Sequence, residues 1–306
     1  KKMRCDSPIS LPRINGKGAQ DRVTVACRRC YPCLSNIRND WTFRLEQELK
    51  LAYSGYFITL TYNDEQLPIK IEDHPTARLA HLINNYGQSI LDQEAFPTLY
   101  KKDVQDFIKR MRAKQDYLIN SNLLKNTWYN KYAIRYYATG EYGEKTSRPH
   151  YHLIVFNIHP EIAEDIEKIW GMGQVVVKQA GTESIHYTTK YCIKRTGDYD
   201  PRKAPPFNLM SRKPPLGIGY YYSAGRYHKD TLSTQAVNIH GKKVNMPAFY
   251  KSRIFSDYEQ SIFKEMAEEK QVEAYWKSVA FPSAEKIAKE IRYEKLQTIK
   301  SKNEKL

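Results

Sequence analysis

The sequence predicts an α+β fold, a central antiparallel sheet on the split β-α-β plan of ferredoxin-like and RRM-like sheets. A cysteine-rich segment precedes the sheet and a largely helical extension follows it. Two observations carry this expectation. First, strand-like and helix-like patterns follow one another in the order helix, strand, helix, strand, strand, helix, strand, helix. Second, the two strand-like runs within 132–156 are separated by a turn and read as antiparallel neighbours, while the helices at 101–115 and 161–170 each cross to a new strand. The expected organisation is a cysteine-rich segment at 1–40, the sheet domain at 41–230, and the extension at 231–306.

The elements rest on local pattern. After Asp40, a suitable N-cap, Trp41, Leu45, Leu49 and Ala52 recur at helical spacing. The run 56–62, YFITLTY, is β-branched or aromatic nearly throughout and reads as a strand. Residues 63–98 show little periodicity and several turn formers, so an irregular insertion is expected there. From Lys101, the positions Val104, Phe107, Ile108 and Met111 form an apolar stripe, and Lys102, Lys109, Arg110, Arg112 and Lys114 crowd the rest of that helix. The basic face is either a solvated surface or one that meets a polyanion. Residues 132–138 read as a strand. Ile162, Ile166, Ile169 and Trp170 mark a helix ended by Gly171-Met172-Gly173, and 175–177 begins another strand. The stretch 195–227 mixes Arg, Lys, Pro, Gly and Tyr. It is either a loop system that stacks bases on Tyr220, Tyr221 or Tyr222, or a Pro-rich connector ending in a Tyr-rich strand. After Pro282, Ile287, Ile291 and Leu296 suggest an exposed amphipathic helix.

Composition bounds the function. The 306 residues suffice for one large domain or two modest ones. Against 34 Asp and Glu stand 49 Lys and Arg, a formal charge of +15 that suits a polyanionic partner. Residues 251–306 hold 12 Lys and Arg against 10 Asp and Glu, so nearly all of the excess belongs to the first 250 residues. The 24 tyrosines suit stacking on nucleic-acid bases, and also suit strands. No apolar run approaches a membrane span, and the opening KKMRCDSPIS lacks a signal-peptide core, so the chain reads as soluble and cytoplasmic. Its Lys-Lys-Met start reads as a missing or altered N-terminus.

Three places concentrate chemistry. In EYGEKTSRPHYHLIVF (141–156), His150 and His152 alternate with Tyr151 on a strand and so share a face. Two adjacent imidazoles make half of a divalent-metal site, with Glu141 or, failing it, Glu144 in the preceding turn as the carboxylate. The plainer alternative is two ordinary histidines on a half-buried strand. Near the N-terminus, Cys27, Cys30 and Cys33 in CRRCYPC are dense enough to converge on one ion, and Cys5 would complete a four-sulfur zinc site. Unligated thiols and an iron–sulfur cluster are the alternatives. In SIHYTTKYCIKR (184–195), Tyr187 and Tyr191 lie one helical turn apart, as do Lys190 and Lys194. Tyrosines activated beside a metal-bound phosphate can act as nucleophiles, and a packing helix is the alternative. His186 falls on another face and reads as a surface residue.

In this order and separation, FITLTY, EYGEKTSRPHYH and YTTKYCIK resemble the HUH-type rolling-circle replication initiators. The resemblance covers roughly 1–225 and is strongest to those of the small single-stranded-DNA microviruses, particularly the gokushovirus-like branch. CRRCYPC and the Trp-bearing helix after it also resemble the N-terminus of that branch. The resemblance implies that 41–230 is an HUH endonuclease domain, with His150, His152 and Glu141 holding Mg²⁺ or Mn²⁺. Tyr187 and Tyr191 match the nucleophiles and Lys194 the lysine that follows them. Tyr151 stands where many relatives carry an aliphatic residue. The implied activity is a DNA endonuclease and strand transferase that nicks single-stranded or locally melted origin DNA, leaves a 5′-phosphotyrosine and a free 3′-OH primer, and rejoins the strand. Host helicase and polymerase are the implied partners, in the host bacterial cytoplasm, without a membrane. The chain has no G-x-x-x-x-G-K-[ST], which leaves unwinding to another protein. The competing readings are a non-catalytic basic nucleic-acid-binding protein on the same sheet plan, and a transposase or relaxase of the same chemistry.

Overall fold

A computed structural model describes residues 5–12, 22–121, 123, 133–194 and 200–280. The chain divides into two compact units: residues 1–224 with 233–247, and residues 225–232 with 248–306. The amphipathic helix expected after Pro282 lies outside the described residues.

The first unit opens with a hairpin, β1 (Ile9–Pro12) and β2 (Arg22–Val25). Helix α1 (Tyr31–Leu51) follows. It starts at Tyr31 rather than after Asp40, because Pro32 in the first turn has a φ preset for helix and lacks only an N–H that would have no partner there. Next come β3 (Gly55–Leu60), β4 (Pro68–Ile71), β5 (Ala77–Arg78), α2 (Leu79–Tyr86), a 3₁₀ turn at Gln88–Asp92 and β6 (Ala95–Pro97). Residues 63–98 are therefore not irregular. They build a three-stranded sheet in the order β5-β4-β6 with a small core of Ile71, Leu82 and Ile90. Strands of two to four residues are too short for period-2 alternation to register in the sequence.

Helix α3 (Lys101–Asn120) leads to β7 (Arg135–Tyr142) and β8 (Pro149–Phe156). The helix expected at 161–170 is two short ones, α4 (Pro160–Glu164) and α5 (Ile166–Trp170), and Gly171 caps the second with φ 62°. Then come β9 (Val175–Gln179), α6 (Thr182–Lys194), β10 (Phe207–Met210), α7 (Gly219–Thr231), and the hairpin β11 (Gln235–Val237) and β12 (Lys243–Asn245). The tyrosines expected on a strand, Tyr220, Tyr221 and Tyr222, lie on α7 instead, where Tyr220 meets Phe43 edge-on at 5.0 Å. The second unit adds α8 (Ala248–Ile254) and α9 (Asp257–Ala280), with Tyr250, Ile254 and Phe255 buried and Phe255 packed on Phe263.

The main sheet is five-stranded and antiparallel throughout, in the order β10-β7-β8-β3-β9. Within it, β8 lies between β3 and β7, and β3 between β8 and β9, an order compatible with the split β-α-β plan. One face carries Ile58, Leu60, Ala138, Tyr151, Leu153 and Val155, packed against Val104, Phe107, Ile108 and Met111 of α3 and against Ile162, Ile166 and Trp170. On the other face, Phe57, Tyr137, Ile154 and Phe156 pack on Leu45 and Leu49 of α1 and Ile185 of α6. The chain between α5 and β9 passes so close to the end of β3 that a Cβ on Gly173 would lie 2.5 Å from the Thr61 carbonyl oxygen. With φ at 152° as well, only glycine fits there.

The basic residues of α3 are largely committed within the fold. Lys102 and Lys109 pair with Asp106, and Lys114 pairs with Asp165. Arg110 donates to the Ile169 and Trp170 carbonyls, and Arg112 to that of Ile134. Phe107 is fully buried between α3 and Trp170. Phe107→Ala is expected to cost about 3–5 kcal/mol in a urea unfolding curve. Tyr222→Ala, at a position 76% exposed, should stay within about 0.5 kcal/mol of the parent.

Candidate active site

Three polar groups converge on the sheet face that α1 and α6 cover. Register sets Glu141 of β7 directly opposite His150 of β8, and sets Thr59 of β3 opposite His152. Glu141 Oε1 lies 2.9 Å from His150 Nε2 and 3.1 Å from His152 Nε2. Glu141 is thus a strand residue rather than part of the turn. Glu144 does occupy the turn, exposed and outside the group of converging ligand atoms.

The second ring nitrogens decide how the imidazoles are protonated. His150 Nδ1 lies 3.3 Å from the Arg148 carbonyl, which can only accept, so Nδ1 carries hydrogen. His152 Nδ1 lies 3.1 Å from Thr59 Oγ1, which is able to accept. Both Nε2 atoms face the Glu141 carboxylate, where they donate to it when they carry hydrogen or can share a cation with it when they do not. Burial opposes ionisation of Glu141, but the hydrogen bonds and charge of His150 and His152 outweigh it and hold its carboxyl at about 2. Burial pushes the His152 pKa down. One carboxylate and two imidazoles fit a divalent cation. Their spacing is close to the edge of roughly 3.0 Å expected of an octahedron with bonds of about 2.1 Å.

Tyr151, between the histidines, points to the opposite face and is fully buried. Its hydroxyl accepts from the Tyr100 N–H at 2.9 Å and meets the Tyr62 hydroxyl at 2.9 Å. Tyr62 donates to Asp103, which pairs with Arg78 at 2.8 Å. A tyrosine is accommodated here because its polar end is fully satisfied.

Helix α6 lies over β7 and β8. Thr189 meets Thr42 of α1 at 2.9 Å, and Cys192 meets the Tyr137 hydroxyl of β7 at 3.2 Å. The Tyr191 ring stacks on His152 at 5.2 Å and 12°. Tyr187 meets the same imidazole edge-on at 5.1 Å and Tyr191 at 5.4 Å. Phe57 also stacks on His152. The two tyrosines differ in access: Tyr191 is 4% exposed and Tyr187 37%. Burial, the Glu141 charge and the hydrogen bond with Tyr187 push the Tyr191 pKa up. Lys190 Nζ sits 4.1 Å from the centre of the Tyr187 ring and 5.3 Å from that of Tyr191. The sequence motif points to Lys194, whose side chain lies outside the described residues. Lys190 is legible as a same-helix neighbour of both tyrosines, without any sign that it reaches their rings.

The cysteines form a second group. All four Sγ atoms of Cys5, Cys27, Cys30 and Cys33 lie within 4.8 Å of one another. Cys5 is 3.7 Å from Cys30, and Cys27 is 4.0 Å from Cys33. A tetrahedron of thiolates at about 2.3 Å from zinc has edges of about 3.8 Å, so the set fits that ion. The β1–β2 hairpin is what returns Cys5 to the others. Backbone N–H groups of Cys30 and Arg29 point at Cys27 Sγ and hold its pKa at about 6, while burial pushes Cys33 up to about 12.

Comparison with known proteins bears on this constellation. Residues 55–196, from β3 through α6, match the family of the replication-associated protein ORF2. The chain is similar to replication-associated proteins of phages, in line with its resemblance to rolling-circle initiators. It is 27% identical over 242 residues to replication-associated protein VP4 of Bdellovibrio phage phiMH2K, a match covering 73% of this chain and 65% of that protein. To replication-associated protein ORF2 of Spiroplasma virus 4 it is 23% identical, over 81% of this chain and 72% of the other. To replication-associated protein ORF4 of Chlamydia phage 1 it is 25% identical, over 74% of this chain and 52% of that protein. The chain thus spans less than two thirds of the first and third relatives. No solved structure matches it.

Two outcomes test the site. Thr59→Val, which keeps the strand but removes the partner of His152 Nδ1, should weaken Mn²⁺ binding about 10–100-fold by calorimetry. Cys27→Ser/Cys30→Ser should remove a zinc ion measured by emission spectrometry and speed hydrogen exchange in the first turns of α1.

Proposed function

We propose that this chain starts phage DNA replication by nicking and rejoining one strand through tyrosine transesterification, as an HUH endonuclease. The carrying observation is the meeting of Glu141, His150 and His152 with Tyr187 and Tyr191 on one sheet face. A module that only binds nucleic acid requires neither a buried carboxylate between imidazoles nor two tyrosines against them. The sheet order, with crossing helices gathered on the opposite face, supports the HUH-type fold.

Glu141, His150 and His152 hold Mg²⁺ or Mn²⁺, which when bound polarises the scissile phosphate as a Lewis acid. Tyr187, the more exposed hydroxyl, meets the incoming single strand first and attacks phosphorus. The bond to the 3′ oxygen breaks, leaving a 5′-phosphotyrosine and a free 3′-OH. Lys190 beside both rings favours the phenolate and offsets charge developing at the phosphate. After a round of synthesis Tyr191 cleaves the regenerated origin. The 3′-OH released in that step attacks the Tyr187 ester and closes the circle. The phosphotyrosine conserves the bond energy, so rejoining needs no ATP. DNA enters across edge strand β9, where Val176, 48% exposed, lies beside Thr59 in register. Cys5, Cys27, Cys30 and Cys33 would hold zinc, which would fix the start of α1. The free 3′-OH primes a host polymerase, a host helicase unwinds the template, and the reaction takes place in the cytoplasm of the host bacterium.

The test is a denaturing-gel assay for a covalent adduct with labelled single-stranded origin DNA and Mn²⁺. The parent and Tyr191→Phe should form the adduct. Tyr187→Phe should slow its formation at least about 100-fold, and the double tyrosine variant and His150→Ala/His152→Ala should form none. Binding of origin DNA without any adduct in Mn²⁺ or Mg²⁺ would overturn the enzymatic reading.

A further inference from the structure

We infer that Glu46, His186 and His240 form a second metal site, for a divalent transition ion such as zinc, that fastens the tyrosine helix to α1 and the β11–β12 hairpin. The three residues come from three elements, and one ligand atom from each lies within 4.8 Å of the others. Glu46 Oε1 and His186 Nε2 are 3.8 Å apart, too far for a hydrogen bond and close enough to share an ion. His186, which reads in the sequence as a surface residue, is thus a member of a ligand group.

The buried carboxylate asks for a cation. Glu46 is 2% exposed, on the buried side of α1. Among the described residues its one ion-pair contact is His186, and the Ile239 N–H donates to it. Burial raises the Glu46 pKa against the opposing charges of His240 and Lys50, and a carboxylate so enclosed is costly unless a cation arrives or it takes up a proton. One carboxylate and two imidazoles are a donor set that suits zinc.

The hairpin turn is built to present His240. Asn238 Oδ1 accepts from the His240 and Lys242 N–H groups, and Gly241 closes the turn with φ 75°. His186 and His240 are both exposed, so an ion can enter from solvent and keep a water in its remaining position. Because His186 immediately precedes Tyr187, the ion would hold the start of α6 in place. The inference does not depend on the nicking reading.

The test uses the full chain with His150→Ala/His152→Ala, so that the first site takes no ion. The protein is stripped with EDTA, reloaded with Zn²⁺, separated from free metal, and its zinc per chain measured by emission spectrometry. Adding His240→Ala or Glu46→Gln should lower the count by one ion per chain with an unchanged circular dichroism spectrum, and Zn²⁺ should raise Tm less than in the parent background. The cysteine contribution is common to all samples and cancels in the difference. Should Glu46→Gln fail to fold, His240→Ala in the exposed turn decides. An unchanged zinc count in His240→Ala overturns the site.

Discussion

The meeting of Glu141 with His150 and His152 depends on the register between β7 and β8. Backbone hydrogen bonding sets Glu141 across from His150, and Thr139 and Thr59 on either side of His152. Because side chains alternate, a slip of one residue would send both imidazoles into the α3 face and expose Tyr151 in their place. The register resists such a slip from the other side. Tyr151, Leu153 and Val155 are wholly buried, and the Tyr151 hydroxyl is locked to Tyr62 and the Tyr100 backbone. The apolar face of β8 thus holds its polar face in position.

That arrangement divides the labour of the two faces. Helices α3, α4 and α5 seal one face with a continuous apolar core, leaving little room for adjustment. The other face is closed by α1 and α6 and carries hydroxyls, imidazoles and a carboxylate among its apolar contacts. Helix α6 packs along α1 and over β7 and β8, with Thr189 meeting Thr42, Cys192 meeting Tyr137 and Ile185 in the core. Its tyrosines sit against His152, Tyr191 enclosed and Tyr187 partly exposed.

Legibility in the sequence followed the length and regularity of each signal. The alternation of His150, Tyr151 and His152 and the one-turn spacing of Tyr187 and Tyr191 each report a face directly, and the structure brings the two faces together. The approach of Cys5 to Cys27, Cys30 and Cys33 is legible as a ligand count. The hairpin that delivers it is not, since its strands have four residues each. Residues 63–98 read as irregular for the same reason. Glu141 resembles a turn residue because Gly143 follows it closely, yet the ladder with β8 runs on through Tyr142. The cluster of Glu46, His186 and His240 joins residues far apart in the chain, and no local spacing announces it.

Charge gives the clearest case of a global signal that misleads about place. The formal +15 concerns the whole chain, and the densest run of cations is on α3. Those side chains are spent on Asp106, Asp165 and backbone carbonyls, on the face remote from the histidines. A long-range field draws a polyanion toward the chain without fixing where on the surface it settles. On the histidine face Lys190 reaches over both tyrosine rings, and Val176 of the edge strand β9 is 48% exposed. Net charge bears on long-range attraction, whereas the placement of one ammonium group beside two phenol rings is a local matter that no total charge reports.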